Sequence, residues 1–229
     1  MKVMTVWRTF RDRDDAGRQL AARLKPEDIG PRPLVWGVAR GGVVVAAAVA
    51  ERLGADLDVV VVRKIAAPDA PEYALGAVTA DGPPLWTEVA ARLAPEAARA
   101  RWAQEAAATA RQRDELYHRT FGRIDPAGRA VVVVDDGAAT GVTVRAAARA
   151  ARAQGAGRVL VALPVATPAV VASLQGYDAD AVVVVVPDPD LRAVGQHYLD
   201  FGEVDDATVL ALLGRFGERR PVKPGGSGR

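Results

Sequence analysis

Val131-Val132-Val133-Val134-Asp135-Asp136-Gly137-Ala138-Ala139-Thr140-Gly141-Val142-Thr143 is the stretch that decides the fold of this chain. Four consecutive valines fit a central parallel strand covered on both faces, where a continuous apolar run replaces alternation. The strand must end near Asp135 and Asp136, because neither carboxylate belongs in an apolar layer. Gly137 to Thr143 adds little side-chain bulk beyond the hydroxyls of Thr140 and Thr143. The pattern then predicts a helix over 142–153, and backbone N–H groups of the turn converge at its start. A helix start of this kind is a ready phosphate site. The neighbouring carboxylates suit the hydroxyls of a sugar, or a metal on those hydroxyls.

A second strand-to-helix junction lies upstream, at Leu34-Val35-Trp36-Gly37-Val38-Ala39-Arg40-Gly41-Gly42. An apolar strand runs into Arg-Gly-Gly, and an Ala- and Val-rich helix follows to about Leu53. Consecutive glycines let backbone N–H groups approach a ligand closely. Arg40 adds a permanent charge with a fork of donors.

Together the two stretches resemble the type I phosphoribosyltransferases. That family's signature has four hydrophobic residues, two acidic ones, then small residues and Thr-Gly-x-Thr. The resemblance implies that Asp135 and Asp136 face the ribose 2′- and 3′-hydroxyls of phosphoribosyl pyrophosphate (PRPP), directly or through Mg²⁺. Gly137, Ala138, Ala139, Thr140, Gly141, Val142 and Thr143 would wrap its 5′-phosphate. Arg40 with the amides of Gly41 and Gly42 would form the pyrophosphate loop, with a cis peptide expected at Ala39–Arg40. Arg63 and Lys64, at the end of the next strand, match basic pairs that lie near pyrophosphate. Relatives often recognise the base from a C-terminal segment carrying an aromatic residue, here Tyr198 or Phe201, with Asp188 or Asp190 reading its edge. One departure is Ala139, where relatives acting on 6-oxopurines typically carry an aspartate.

Composition bounds the rest. At 229 residues, 50% hydrophobic and 25% charged, the chain can bury a sizeable core. No apolar run reaches the ~20 residues needed to span a bilayer. A net charge of +2 gives no electrostatic footprint for nucleic acid. Cysteine is absent, which removes disulfides and thiol metal sites and points to the cytoplasm. His118 and His197 are too few for a histidine-rich metal site.

Strands are expected at 34–38, 59–63, 75–80, 131–134, 158–163 and 181–186. Helices are expected at 14–24, 142–153, 168–174 and 205–216, and through most of 87–121, broken near Pro95. Residues 65–73, rich in proline and alanine, read as a loop. Alternating strands and helices argue for an α/β fold with a doubly wound parallel sheet, to which the resemblance adds a smaller hood. One domain is expected over 1–217. Its core is 33–64 and 129–187, its hood 65–128 and 188–204, and 218–229 is a disordered tail. The long helical stretch would serve the hood or an oligomer contact.

The function implied is transfer of a phosphoribosyl group from PRPP to a nitrogenous acceptor, a nucleobase, with Mg²⁺. The competing class is a PRPP-binding regulator without transferase activity. No nucleic acid or membrane partner is expected.

Overall fold

The computed structural model describes residues 9–67 and 70–217. Strands β1 (Leu34–Val38), β2 (Asp56–Val60), β6 (Ala130–Val134), β7 (Arg158–Ala166) and β8 (Ala181–Pro187) form one sheet, ordered β2-β1-β6-β7-β8. All four pairings are parallel. The intervening β3 (Val62–Ala67), β4 (Ala70–Thr79) and β5 (Leu85–Trp86) form a separate antiparallel sheet. The helices are α1 (Arg13–Ala21), α2 (Pro26–Ile29), α3 (Gly41–Leu53), α4 (Ala90–Leu93), α5 (Glu96–Phe121), α6 (Val142–Ala153), α7 (Pro168–Leu174) and α8 (Asp206–Gly217).

Period-2 alternation sorts the strand side chains onto two apolar layers. Val35, Val132, Val134, Leu160 and Ala162 join α3, α8 and Tyr117 of α5. Leu34, Trp36, Val131, Val133, Val159 and Val161 pack with α6 and α7. Both faces are thus covered, which is why the valine run need not alternate with polar residues. Local signals set the ends of the helices. Asp12 caps α1 by accepting from Asp15 N at 2.7 Å, and Thr167 caps α7 ahead of Pro168. Gly54, at φ 59°, closes α3 in the left-handed region.

The small sheet stands between α5 and α6. Val62, Ala77 and Leu85 face α6, while Ile65 and Val78 face Ala103 and Trp102 of α5. Pro95 immediately precedes α5, where the sequence expects the break. The long helix therefore backs the hood.

Two expectations change. The run 59–63 is not one strand. The large sheet ends at Val60 and the small one begins at Val62, and four valines in a row carry no punctuation to mark the break. Nor are 65–67 and 70–73 a loop, since they lie in β3 and β4, which pair antiparallel with Val62 opposite Thr79 and Lys64 opposite Ala77. Pro68 and Pro71 mask this pairing in sequence, and register shifts after Ile65 and Ala66 accommodate the irregular end. Leu191 and Tyr198 pack with Phe10, Ala16 and Val165, forming a second cap near the N-terminus. The tail at 218–229 lies outside the described residues.

Candidate active site

β1 is followed on one side by β2 and flanked on the other by β6, so the strand order reverses between β1 and β6. Crevices at such switch points, beyond the carboxyl ends of the strands, are where ligands bind in open α/β sheets. Both motifs open here. Arg40-Gly41-Gly42 follows β1 into α3, and Asp135-Asp136 follows β6. The Ala39–Arg40 peptide bond is cis. The two motifs touch. A Cβ on Gly42 would lie 2.8 Å from the Val134 carbonyl and 2.9 Å from Asp135 Oδ1. A Cβ on Gly41 would lie 2.1 Å from Asp136 Oδ2. Only glycine allows this approach.

Two helix N-termini meet at the crevice. Neither α3 nor α6 has a side-chain cap on its first turn, so their leading N–H groups and dipoles are available to an anion. Gly141 enters α6 at φ 74°. Ala138 fixes the preceding turn, donating to the Val165 carbonyl at 2.9 Å and accepting from Thr167 N at 3.3 Å. Thr140 is exposed and Thr143 half-buried, so both hydroxyls lie near solvent.

The carboxylates differ in their surroundings. Asp136 Oδ2 pairs with Arg13 Nε at 2.8 Å, the two side chains being 12% (Arg13) and 16% (Asp136) exposed. Among the described residues Asp135 has no ion pair, and its Oδ1 accepts from Asp136 N at 2.9 Å. Burial pushes the Asp135 carboxyl well above the usual carboxylate range, and the charge of Asp136 pushes it further, against the pull of Lys64 and Arg13. Burial also raises Asp136, with Arg13 opposing.

The family model of the phosphoribosyl transferase domain matches residues 11–182, which include both motifs and strands β1, β2, β6 and β7 of the large sheet. The chain belongs to the type I phosphoribosyltransferase family. It is 43% identical over 208 residues to a Mycobacterium tuberculosis H37Rv protein provisionally named a phosphoribosyl transferase, covering 90% of this chain and 46% of that one. The chain thus spans about half the length of that curated relative. The crystal structure of TT1426 from Thermus thermophilus is similar at 45% identity and a TM-score of 0.77, over 90% of this chain and 98% of that one.

As a phosphoribosyltransferase domain, the chain brings some expected residues to the crevice and not others. Arg40 lies there, paired with the exposed Glu203. The positive charge of Lys64 opposes the rise of both carboxyls. Arg63 is corrected. It alternates with Lys64 along β3 and so takes the face of Ile65, which is turned to α5. Tyr198 is also corrected. It is 3% exposed, its ring packs on Phe10 at 5.2 Å and Phe201 at 4.8 Å, and its hydroxyl donates to the Asp136 carbonyl at 2.6 Å. No face of it is left for a base. Asp188 is held by His197 Nε2 at 2.8 Å. Sequence reasoning missed Arg13 and Glu203, which are separated from their partners by more than a hundred residues and sit in ordinary charged runs.

The donor set limits how a divalent cation could be held. Among the described residues no group of three or more His, Cys, Asp or Glu could hold a metal ion, and Asp136 is already paired. An ion bound by side chains alone does not fit. An ion arriving on phosphate and ribose oxygens, and touching Asp135, does fit, since Mg²⁺ is commonly held through one or two carboxylates plus substrate phosphates.

Proposed function

We propose that this domain transfers the 5-phosphoribosyl group of PRPP to a nitrogenous acceptor, a nucleobase, and releases pyrophosphate. The observation that supports this reading is the abutment of the Arg-Gly-Gly loop on the Asp-Asp motif, with two uncapped helix N-termini opening at the junction. An anion on each helix and a sugar between them would fill that arrangement. The N–H groups of the α6 turn would take the 5′-phosphate. Arg40 and the Gly41 and Gly42 amides would take pyrophosphate, displacing Glu203 from Arg40. Lys64 would add positive charge from the hairpin side. Asp135 would meet the ribose hydroxyls, and Mg²⁺ entering with PRPP would neutralise the leaving group. The anomeric C–O bond breaks as the acceptor nitrogen bonds to that carbon. The protein contributes positioning and fixed charge rather than a covalent intermediate.

Ala139 bears on the acceptor. It offers no carboxylate where 6-oxopurine enzymes typically carry one, and a well-placed general acid or base is worth roughly 10²–10⁴ in rate. The test is pyrophosphate release from PRPP and Mg²⁺ with adenine, uracil, hypoxanthine and xanthine. Adenine or uracil is expected to exceed both 6-oxopurines in kcat/KM. Preference for hypoxanthine or xanthine overturns the acceptor assignment. PRPP binding without release for any base or amine overturns transfer and leaves a PRPP-binding regulator.

A further inference from the structure

Arg13 opens α1 and belongs to neither motif, yet it reaches into the crevice. Its Nε pairs with Asp136 Oδ2 at 2.8 Å, and its Nη1 donates to the Gly202 carbonyl at 2.7 Å. Its guanidinium carbon lies 3.9 Å from the centre of the Phe201 ring. Phe201 leans on Tyr198, and Tyr198 returns to the Asp136 carbonyl. The contacts form a closed ring, Arg13 to Asp136 to Tyr198 to Phe201 and back. Gly41 shuts the remaining side, its missing Cβ standing 2.1 Å from Asp136 Oδ2. One oxygen of Asp136 is therefore boxed in, and its charge is offset by a partner from outside the sheet. Asp135, one residue earlier, has no ion pair among the described residues. Adjacent carboxylates that look equivalent in sequence are thus in unequal states.

We propose that Arg13 is a positioning residue that holds Asp136 against the Arg-Gly-Gly loop, leaving Asp135 as the acidic group that meets the ribose hydroxyls. This rests on the transferase reading of the site. A carboxylate committed to a guanidinium is a poorer acceptor for a hydroxyl, and one with no cationic partner keeps its acceptor strength for the ligand. Losing Arg13 would leave Asp136 buried without its partner and free to swing across the ribose position.

The test is calorimetry on the whole chain with two probes, ribose 5-phosphate and inorganic pyrophosphate. Arg13→Met should weaken ribose 5-phosphate by about tenfold or more, the usual consequence of truncating one partner of a buried charge pair. Pyrophosphate should change by less than about twofold, because its proposed ligands are Arg40 and the loop amides and not the Asp136 carboxylate. Adding Asp136→Asn to Arg13→Met should recover most of the loss, because the unpaired charge is gone. Asp135→Asn should cost ribose 5-phosphate more than Asp136→Asn does. Should Arg13→Met fail to fold, Arg13→Lys carries the same comparison, keeping the charge without the fork. Equal weakening of both probes, or no recovery in the double variant, overturns the proposal. A wild-type chain that binds neither probe overturns the transferase reading itself, and this proposal with it.

Discussion

Gly41 and Asp136 meet so closely that no side chain can stand between them. A methyl at Gly41 would have to push back Asp136 Oδ2 at 2.1 Å and Arg13 Nε at 2.8 Å. Overpacking of this kind typically costs about 1–3 kcal/mol, and here it would also separate the two motifs. Gly41→Ala is therefore expected to lower the melting temperature and to weaken ribose 5-phosphate and pyrophosphate together. Gly122→Ala is the control. Gly122 has φ 65° but nothing within 4 Å of a Cβ, so it should cost about 1 kcal/mol through backbone strain alone and leave binding untouched. Thermal unfolding and calorimetry on the two variants check both parts. Equal binding losses in the two would mean that the Gly41 contact has no special role. Tyr198 teaches the same lesson from the other side. An aromatic after the last strand reads as a base-stacking platform, but its hydroxyl has a partner in the Asp136 carbonyl and its ring has two aromatic neighbours.

At the scale of elements, α5 is fastened to β2 by a buried charged cluster. His118 Nε2 contacts Asp58 Oδ1 at 3.0 Å, and its Nδ1 lies 3.3 Å from Asp114 Oδ2. Asp58 also accepts from Ile124 N at 2.7 Å, and Arg123 bridges Asp114 to Asp81, just beyond β4. Burial disfavours the imidazolium, but the hydrogen bonds its ring donates to Asp114 and Asp58 outweigh it and raise the His118 pKa to about 9. In the unfolded chain the value is near 6.5. The sign follows. The protonated ring's contribution to stability is complete below the unfolded value and disappears as pH rises through about 9. Its size is on the order of 3 kcal/mol from the shift. The melting temperature should therefore fall between pH 7 and pH 10 more steeply in the wild-type chain than in His118→Gln. Parallel pH profiles for the two would exclude the cluster as the cause. Sequence reading took His118 only as one of two histidines too few for a metal site, because nothing in the spacing of 58, 114 and 118 reveals that β2 and α5 meet.

For the whole molecule, the hairpin stands apart from the large sheet. It packs on α5 through Ile65 and Val78 and on α6 through Val62, Ala77 and Leu85, and it belongs to neither edge of the large sheet. It carries Lys64, whose positive charge opposes the rise of both carboxyls. An anionic ligand between Lys64 and Arg40 would draw the hairpin toward the crevice and exclude water from a reactive glycosyl donor. Amide exchange over Val62–Ala67 is expected to slow when PRPP and Mg²⁺ are added to the wild-type chain, and to slow much less in Lys64→Met. Unchanged exchange in the wild-type chain under saturating PRPP would argue against closure. The parallel sheet, buried on both faces, should serve as the unchanged reference.

What the sequence determined by itself is local. The strand and helix at the signature, the strand before Arg-Gly-Gly and the break at Pro95 are written in short runs, because apolar periodicity and turn chemistry act over a few residues. The adjacency of the two loops was also legible, since connections between parallel strands are constrained and both loops follow strand ends. The split at Val61, the hairpin through Pro71 and the orientation of Arg63 depended on which sheet each segment joined, and a run of valines is compatible with either. The pairing of Arg13 with Asp136, of Glu203 with Arg40 and of His118 with Asp58 was decided only by tertiary structure. Charged side chains carry no periodicity that names a distant partner, and burial alone turns such a residue from a solvated surface charge into part of a site.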